Sequence, residues 1–126
     1  EALFLIGHRN CKTTRQTLPF LDRIHRRRAA GRSVVAILQD DPATARELRA
    51  SLDLALDVRL EADPYPVASA LELVAVPTLF LVGRGGEIEG VCEAFVRAEL
   101  EAFAERLGAP PPLFAPEDDA PALRPG

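Results

Sequence analysis

The chain contains no methionine and no tryptophan, one tyrosine, two histidines and two cysteines among 126 residues. Two cysteines so far apart, Cys11 and Cys92, exclude a small scaffold built from disulfides. Together with His8 and His25 they offer no familiar metal-ligand spacing, so no metal is expected, and nothing calls for a cofactor. No apolar run approaches the roughly 20 residues that span a bilayer. The basic cluster Arg26-Arg27-Arg28 with Arg32 has no aromatic residues interleaved to stack bases, so nucleic acid is not an expected partner. The residues present show no secretory leader pattern. With no methionine, Glu1 is expected to lie downstream of the native start. A lost leader or anchor therefore stays open, as does the compartment, cytoplasmic or periplasmic.

What is present suits one soluble domain. Hydrophobic residues make up 48% and charged residues 27%. The length allows a substantial core. The formal charge of −4 is unevenly spread: residues 1–32 hold eight Lys/Arg against two Asp/Glu. The arginine cluster falls at the end of the first expected helix, where cations complement the helix dipole.

Residues 2–6 are continuously apolar, as in a strand buried on both faces. A helix is expected from Asn10 or Cys11 to about Ala30, with an apolar stripe through Leu18, Leu21 and Ile24, a kink at Pro19 and a stop at Gly31. Ser33–Leu38 reads as a second buried strand. Asp41 caps a helix that begins with Pro42 and runs to Leu52. Asp57–Ala62 alternates as a strand, and Val67–Leu73 forms a short helix. Pro77 stands at the mouth of the strand Thr78–Val82, a position where proline is tolerated. Gly83–Gly86 turns the chain into a returning strand, Glu87–Cys92. A last helix buries Val96, Leu100, Phe103, Ala104 and Leu107 and ends at Gly108. The order β-α-β-α-β-α-β-β-α implies an α/β fold with a central mixed sheet and helices on both faces. Residues 1–108 form this domain. Residues 109–126 include six prolines and are expected to be an extended or disordered tail, with docking of Leu113 and Phe114 on the body as the alternative.

Cys11 sits where a strand hands over to a helix. Helix N-terminal N–H groups and the dipole favour a thiolate there. His8, Arg9, Lys12 and Arg15 surround it, and no Asp or Glu lies between Ala2 and Phe20. On position alone, a reactive thiol and a packed one are both open.

The ordered set Asn10-Cys11-Lys12-Thr13-Thr14, Pro19 and Val76-Pro77-Thr78 resembles the thioredoxin-like superfamily over residues 2–108. The first looks like the family's Cys-x-x-Cys site with Thr14 in place of the second cysteine. Pro19 stands where many thioredoxins kink the same helix, and Val76-Pro77-Thr78 looks like the cis-proline loop. The extra helix and strand of residues 41–62 and the Gly-Gly-Glu-Ile hairpin are similar to the TlpA and redoxin (AhpC/TSA-like) branch. The additional N-terminal hairpin of that branch is absent.

The resemblance implies that Cys11 is a nucleophile toward disulfides, that a cis Val76–Pro77 bond shapes a groove beside it, and that Val76 pairs with substrate backbone. Lys12 and Thr13 would flank bound substrate. Protein or small-molecule thiols and disulfides are the implied partners. Thr14 cannot resolve a mixed disulfide, but its hydroxyl can donate to a Cys11 thiolate. Turnover then needs an external thiol, resolution by Cys92, or oxidation of Cys11 to a sulfenic acid. His8 is an acid–base candidate. The expected activity is thus a monothiol thiol–disulfide oxidoreductase. The alternatives are a redox-inactive module that binds protein partners through the groove, and a thiol peroxidase. The peroxidase motif is incomplete, since His8 and Phe4 occupy positions where peroxiredoxins carry Thr and Pro.

Overall fold

A computed structural model describes residues 1–126. The expected elements appear in the expected order: β1 (Ala2–Gly7), α1 (Lys12–Arg27), β2 (Ser33–Leu38), α2 (Pro42–Ser51), β3 (Asp57–Leu60), α3 (Pro66–Ala70), β4 (Thr78–Val82), β5 (Ile88–Glu93) and, after a short strand β6 (Phe95–Val96), α4 (Arg97–Arg106). A 3-10 turn at Pro116–Asp118 and a strand β7 (Leu123–Arg124) follow.

The sheet order is β3-β2-β1-β4-β5. β1, β2 and β3 run parallel, while β4 is antiparallel to both β1 and β5. Period-2 alternation divides the apolar strands between two faces. Leu3, Leu5, Val34, Ala36, Leu38, Leu79 and Leu81 join α1, α2 and α4 in the larger core. Ile6 and Phe80, with Phe4 and Ile37, meet α3 on the opposite face. There the register partners Phe4 and Phe80 stack with ring centroids 5.1 Å apart. No helix is long and apolar enough to cross a membrane.

Several element boundaries depart from the pattern read in the sequence. α1 ends at Arg27 rather than near Ala30. Arg28 is extended, and the Ala29 N–H is captured by the Leu107 carbonyl at the end of α4, 2.9 Å away. β3 ends at Leu60 rather than Ala62, because buried Glu61 turns its carboxylate onto the Val67 and Ala68 N–H groups that open α3.

The largest correction concerns residues 109–126, which do not form a loose tail. Ala109, Leu113 and Phe114 are buried in the main core. Phe114 packs 4.6 Å from the Phe20 ring and 6.0 Å from that of Phe95, with the Arg97 guanidinium over its outer face. Arg23 forks onto Asp118 at 2.7 and 3.1 Å and donates to the Leu113 carbonyl. Arg27 holds the Pro112 carbonyl. The arginines of α1 therefore serve the chain itself. Two aromatic or aliphatic side chains between prolines carry no periodicity, so their docking left no pattern in the sequence.

Candidate active site

Because β1 and β4 are antiparallel and Ile6 faces Thr78, the exit from β1 and the entry to β4 lie at one end of the sheet. That topology brings Cys11 to the Val76-Pro77 loop from 65 residues away. The Cys11 Sγ stands 3.7 Å from the Val76 carbonyl oxygen, which accepts from the thiol. The Val76–Pro77 peptide bond is cis. Pro77 is buried and Val76 half-buried. Two bonds brace the loop: the Thr78 hydroxyl donates to the Ala75 carbonyl at 2.7 Å, and the Ala94 N–H donates to the Pro77 carbonyl at 2.8 Å.

Cys11 is the N-cap of α1 and carries no capping side-chain bond. The first turn of α1 contains no acidic residue. Burial pushes the Cys11 thiol upward. The Thr14 hydroxyl, the Thr14 and Thr13 N–H groups and the Arg15 charge outweigh it, and the thiol lies below its ordinary value. Thr14 is fully buried, and its hydroxyl oxygen is the one buried side-chain polar atom with no hydrogen-bond partner while Cys11 is a thiol. A thiol sulfur accepts only weakly and a thiolate strongly, so loss of the proton gives the Thr14 hydroxyl the acceptor it otherwise lacks.

The loop between β1 and α1 is held from several sides. The Arg9 N–H donates to the Asp40 carboxylate at 3.0 and 3.3 Å, and the Arg9 guanidinium meets Glu47 at 3.1 Å. Arg15 reaches back to the Arg9 carbonyl. The Gly7 carbonyl accepts from the Gln39 N–H at 2.9 Å. Asp40 is a positioning residue that the sequence pattern did not single out. Its only cue was its place just after a strand that runs parallel to β1.

The predicted residues fare unequally. Cys11, Thr13, Thr14, Val76 and Pro77 come together. Lys12 is exposed on the first turn of α1. His8 contributes its carbonyl, which accepts the Cys11 N–H at 3.2 Å, and its ring makes no hydrogen bond to the thiol. Cys92 lies at the same end of the sheet, paired with Leu79, but is buried in the main core. Burial, with Glu99 and Glu93 nearby, pushes its thiol up to about 11. Both cysteines are free. No cluster of three or more His, Cys, Asp or Glu side chains could hold a metal ion.

Solved structures share this fold. A protein assigned as the thiol:disulfide interchange protein DsbE of Chlorobium tepidum superposes with a TM-score of 0.74 at 21% identity, over 83% of this chain and 75% of its own. A thiol-disulfide isomerase of Corynebacterium glutamicum gives 0.73 at 14% identity, over 87% and 81%. A secreted disulfide oxidoreductase of Mycobacterium tuberculosis, homologous to Escherichia coli DsbE, gives 0.68 at 17%, over 84% and 81%. The fold is thioredoxin-like. No protein-family model and no curated protein matches the chain. Within the thioredoxin-like fold, Cys11 occupies the turn from strand to helix and Val76-Pro77 the loop that faces it.

Proposed function

We propose that the protein is a thiol–disulfide oxidoreductase that works with one nucleophilic cysteine, Cys11, on extended polypeptide substrates. The observation that carries this reading is the Cys11 sulfur at the start of α1, where the Thr14 hydroxyl and the Thr13 and Thr14 N–H groups hold its thiol below the ordinary value, 3.7 Å from the carbonyl of the cis Val76-Pro77 loop. The names of the structural neighbours, thiol:disulfide interchange protein and disulfide oxidoreductase, support the same class.

The Cys11 thiolate attacks one sulfur of a substrate disulfide. A bond forms between Sγ and that sulfur, the substrate S–S bond breaks, and the departing sulfur leaves as a thiolate that takes a proton from water. The Thr14 hydroxyl and the Thr13 and Thr14 N–H groups hold the attacking charge, and Arg15 adds a positive field. Val76 offers backbone polar groups beside the sulfur to an extended substrate strand. Thr14 has no chemistry with which to break the mixed disulfide. The buried Cys92 thiol, about 11, supplies almost no thiolate at neutral pH. A second thiol, from a small molecule or another protein, therefore attacks the substrate sulfur of the mixed disulfide as its thiolate; a new disulfide forms between those two sulfurs, the bond to Cys11 breaks, and Cys11 leaves as thiolate.

The test is the rate of Cys11 alkylation by iodoacetamide against pH, with Cys11→Ser as blank, together with formation of a mixed disulfide with glutathione disulfide detected by mass. An alkylation midpoint below the ordinary thiol value of about 8.5 and a single glutathione adduct on Cys11 are expected. A midpoint at the ordinary value with no adduct would establish the redox-inactive binding module instead.

A further inference from the structure

The groove beside Cys11 is already filled, by the chain's own residues 122–126. β7 pairs antiparallel with β6, Phe95 opposite Arg124 and Val96 opposite Leu123. The Arg97 N–H donates to the Ala122 carbonyl at 3.0 Å. Beyond this short ladder the strand crosses the start of α1. The Thr13 hydroxyl donates to the Pro125 carbonyl at 2.5 Å, and the Arg124 guanidinium donates to the Gln16 side-chain oxygen at 2.9 Å. Gly126 then lies directly on the Val76-Pro77 loop. A Cβ on it would collide with the Val76 carbonyl and would stand 3.4 Å from Pro77 Cδ. An extended backbone thus rests against Val76, Pro77 and Thr13, where an extended substrate is expected to rest.

We infer that residues 122–126 are an internal, unreactive peptide ligand of the groove, which an extended polypeptide carrying the thiol or disulfide must displace. The inference rests on the reading of Cys11 as the nucleophile that such a partner meets. Three features fit a displaceable strap. Residues 109–126 contain no cysteine, so the strap fills the groove without reacting with Cys11. Pro121 and Pro125 pre-set an extended backbone, which lowers the entropy lost on docking. The tail is also held unevenly. Its stem is anchored by Leu113 and Phe114 in the core and by Asp118 on Arg23, whereas Leu123 in the strap leaves 64% of its surface exposed. A segment with few buried apolar contacts opens at low free-energy cost, and the anchored stem keeps it at high effective concentration.

The experiment compares three forms: the full chain, Gly126→Val, and the chain without residues 122–126. Gly126→Val leaves the core and the β6–β7 ladder intact while its side chain strikes Val76. Each form reacts with iodoacetamide and with a ten-residue peptide whose single cysteine is disulfide-bonded to thionitrobenzoate. Release of thionitrobenzoate reports attack of Cys11 on the peptide sulfur. Both variants are expected to react about tenfold faster with the peptide, the factor for a groove open a tenth of the time, and less than twofold faster with iodoacetamide. Equal peptide rates in all three forms would overturn the inference. An equal rise with both reagents would also overturn it, because it would show general loosening rather than release of the groove. In a second arm the free peptide Ala-Leu-Arg-Pro-Gly is titrated into the shortened chain carrying Cys11→Ser, with the amide signals of Thr13, Gln16 and Val76 followed by NMR. Saturable shifts there, absent in the full-length Cys11→Ser chain, support the strap, and their absence counts against it. Should Cys11 prove unreactive with both reagents in every form, the redox reading fails and the titration alone decides the strap.

Discussion

Gly7 and Thr14 pack so closely that a Cβ on Gly7 would lie 2.6 Å from the Thr14 hydroxyl oxygen and 2.8 Å from its methyl. The last residue of β1 must therefore be bare for the first turn of α1 to sit where it does. Thr14 is a short side chain with no free end to swing away. In Gly7→Ala the threonine, and with it the hydroxyl that faces Cys11, must move. The expected result is a loss of about 1–3 kcal/mol of stability from overpacking. The alkylation midpoint of Cys11 is expected to move upward as well. An unchanged midpoint would mean that Thr14 does not hold the thiolate.

Thr14→Val separates reactivity from stability. Valine keeps the shape and deletes the hydroxyl, which has no partner in the thiol form. Removing an orphaned buried hydroxyl is expected to raise folding stability by about 1 kcal/mol in chemical denaturation at pH 6. The thiolate loses a donor at the same time, so the Cys11 midpoint rises. The two effects have opposite sign for function. A variant more stable and less reactive than the parent is the signature to look for.

The framework was readable because it rests on repeated patterns. The continuous apolar run of β1, the Asp41-Pro42 start of α2, whose cap accepts the Thr44 N–H at 2.8 Å, and the apolar stripe of α4 each repeat a signal several times. The pairing of Cys11 with Val76 came through the resemblance to thioredoxin-like proteins, since nothing local links positions 65 residues apart. Phe114 had no such support. A single aromatic between prolines reads as linker until Phe20 and Phe95 are known to leave a gap for it. Gly126 was equally silent, because its significance lies wholly in the Val76 carbonyl beneath it. Cys92 was readable as the end of a returning strand, but alternation alone did not reveal that its side chain shares the core with Leu79.

The stem of the tail should loosen in acid. The Arg23 guanidinium and the Ala115 N–H hold the Asp118 carboxyl down at about 2, against an unfolded value of about 3.9. A depressed carboxylate contributes stability that is fully present above its unfolded value and is lost as pH falls through its folded one. The window therefore runs from about pH 4 down to about pH 2. Hydrogen exchange at the Ala115 amide, which donates to Asp118 at 2.7 Å, is expected to lose protection there. Asp118→Asn should reduce that protection already at pH 6 and flatten its dependence across the window. The same acid sensitivity in both forms would assign it to other carboxylates.

Cys92 offers the sharpest division between turnover by an external thiol and turnover within the chain. Its thiol is buried and pushed up to about 11. In the native protein it should resist iodoacetamide at pH 8 and become labelled only on denaturation, so that native labelling stops at one adduct and denatured labelling reaches two. Cys92→Ala should cost about 1 kcal/mol for the small core cavity. It should leave the alkylation midpoint of Cys11 unchanged. Release of a glutathione adduct from Cys11 should depend on the concentration of added thiol, with the same second-order constant in the parent and in Cys92→Ala. A parent that clears the adduct at a rate independent of added thiol, and a variant that does not, would instead mean that β5 opens to deliver Cys92 to the mixed disulfide.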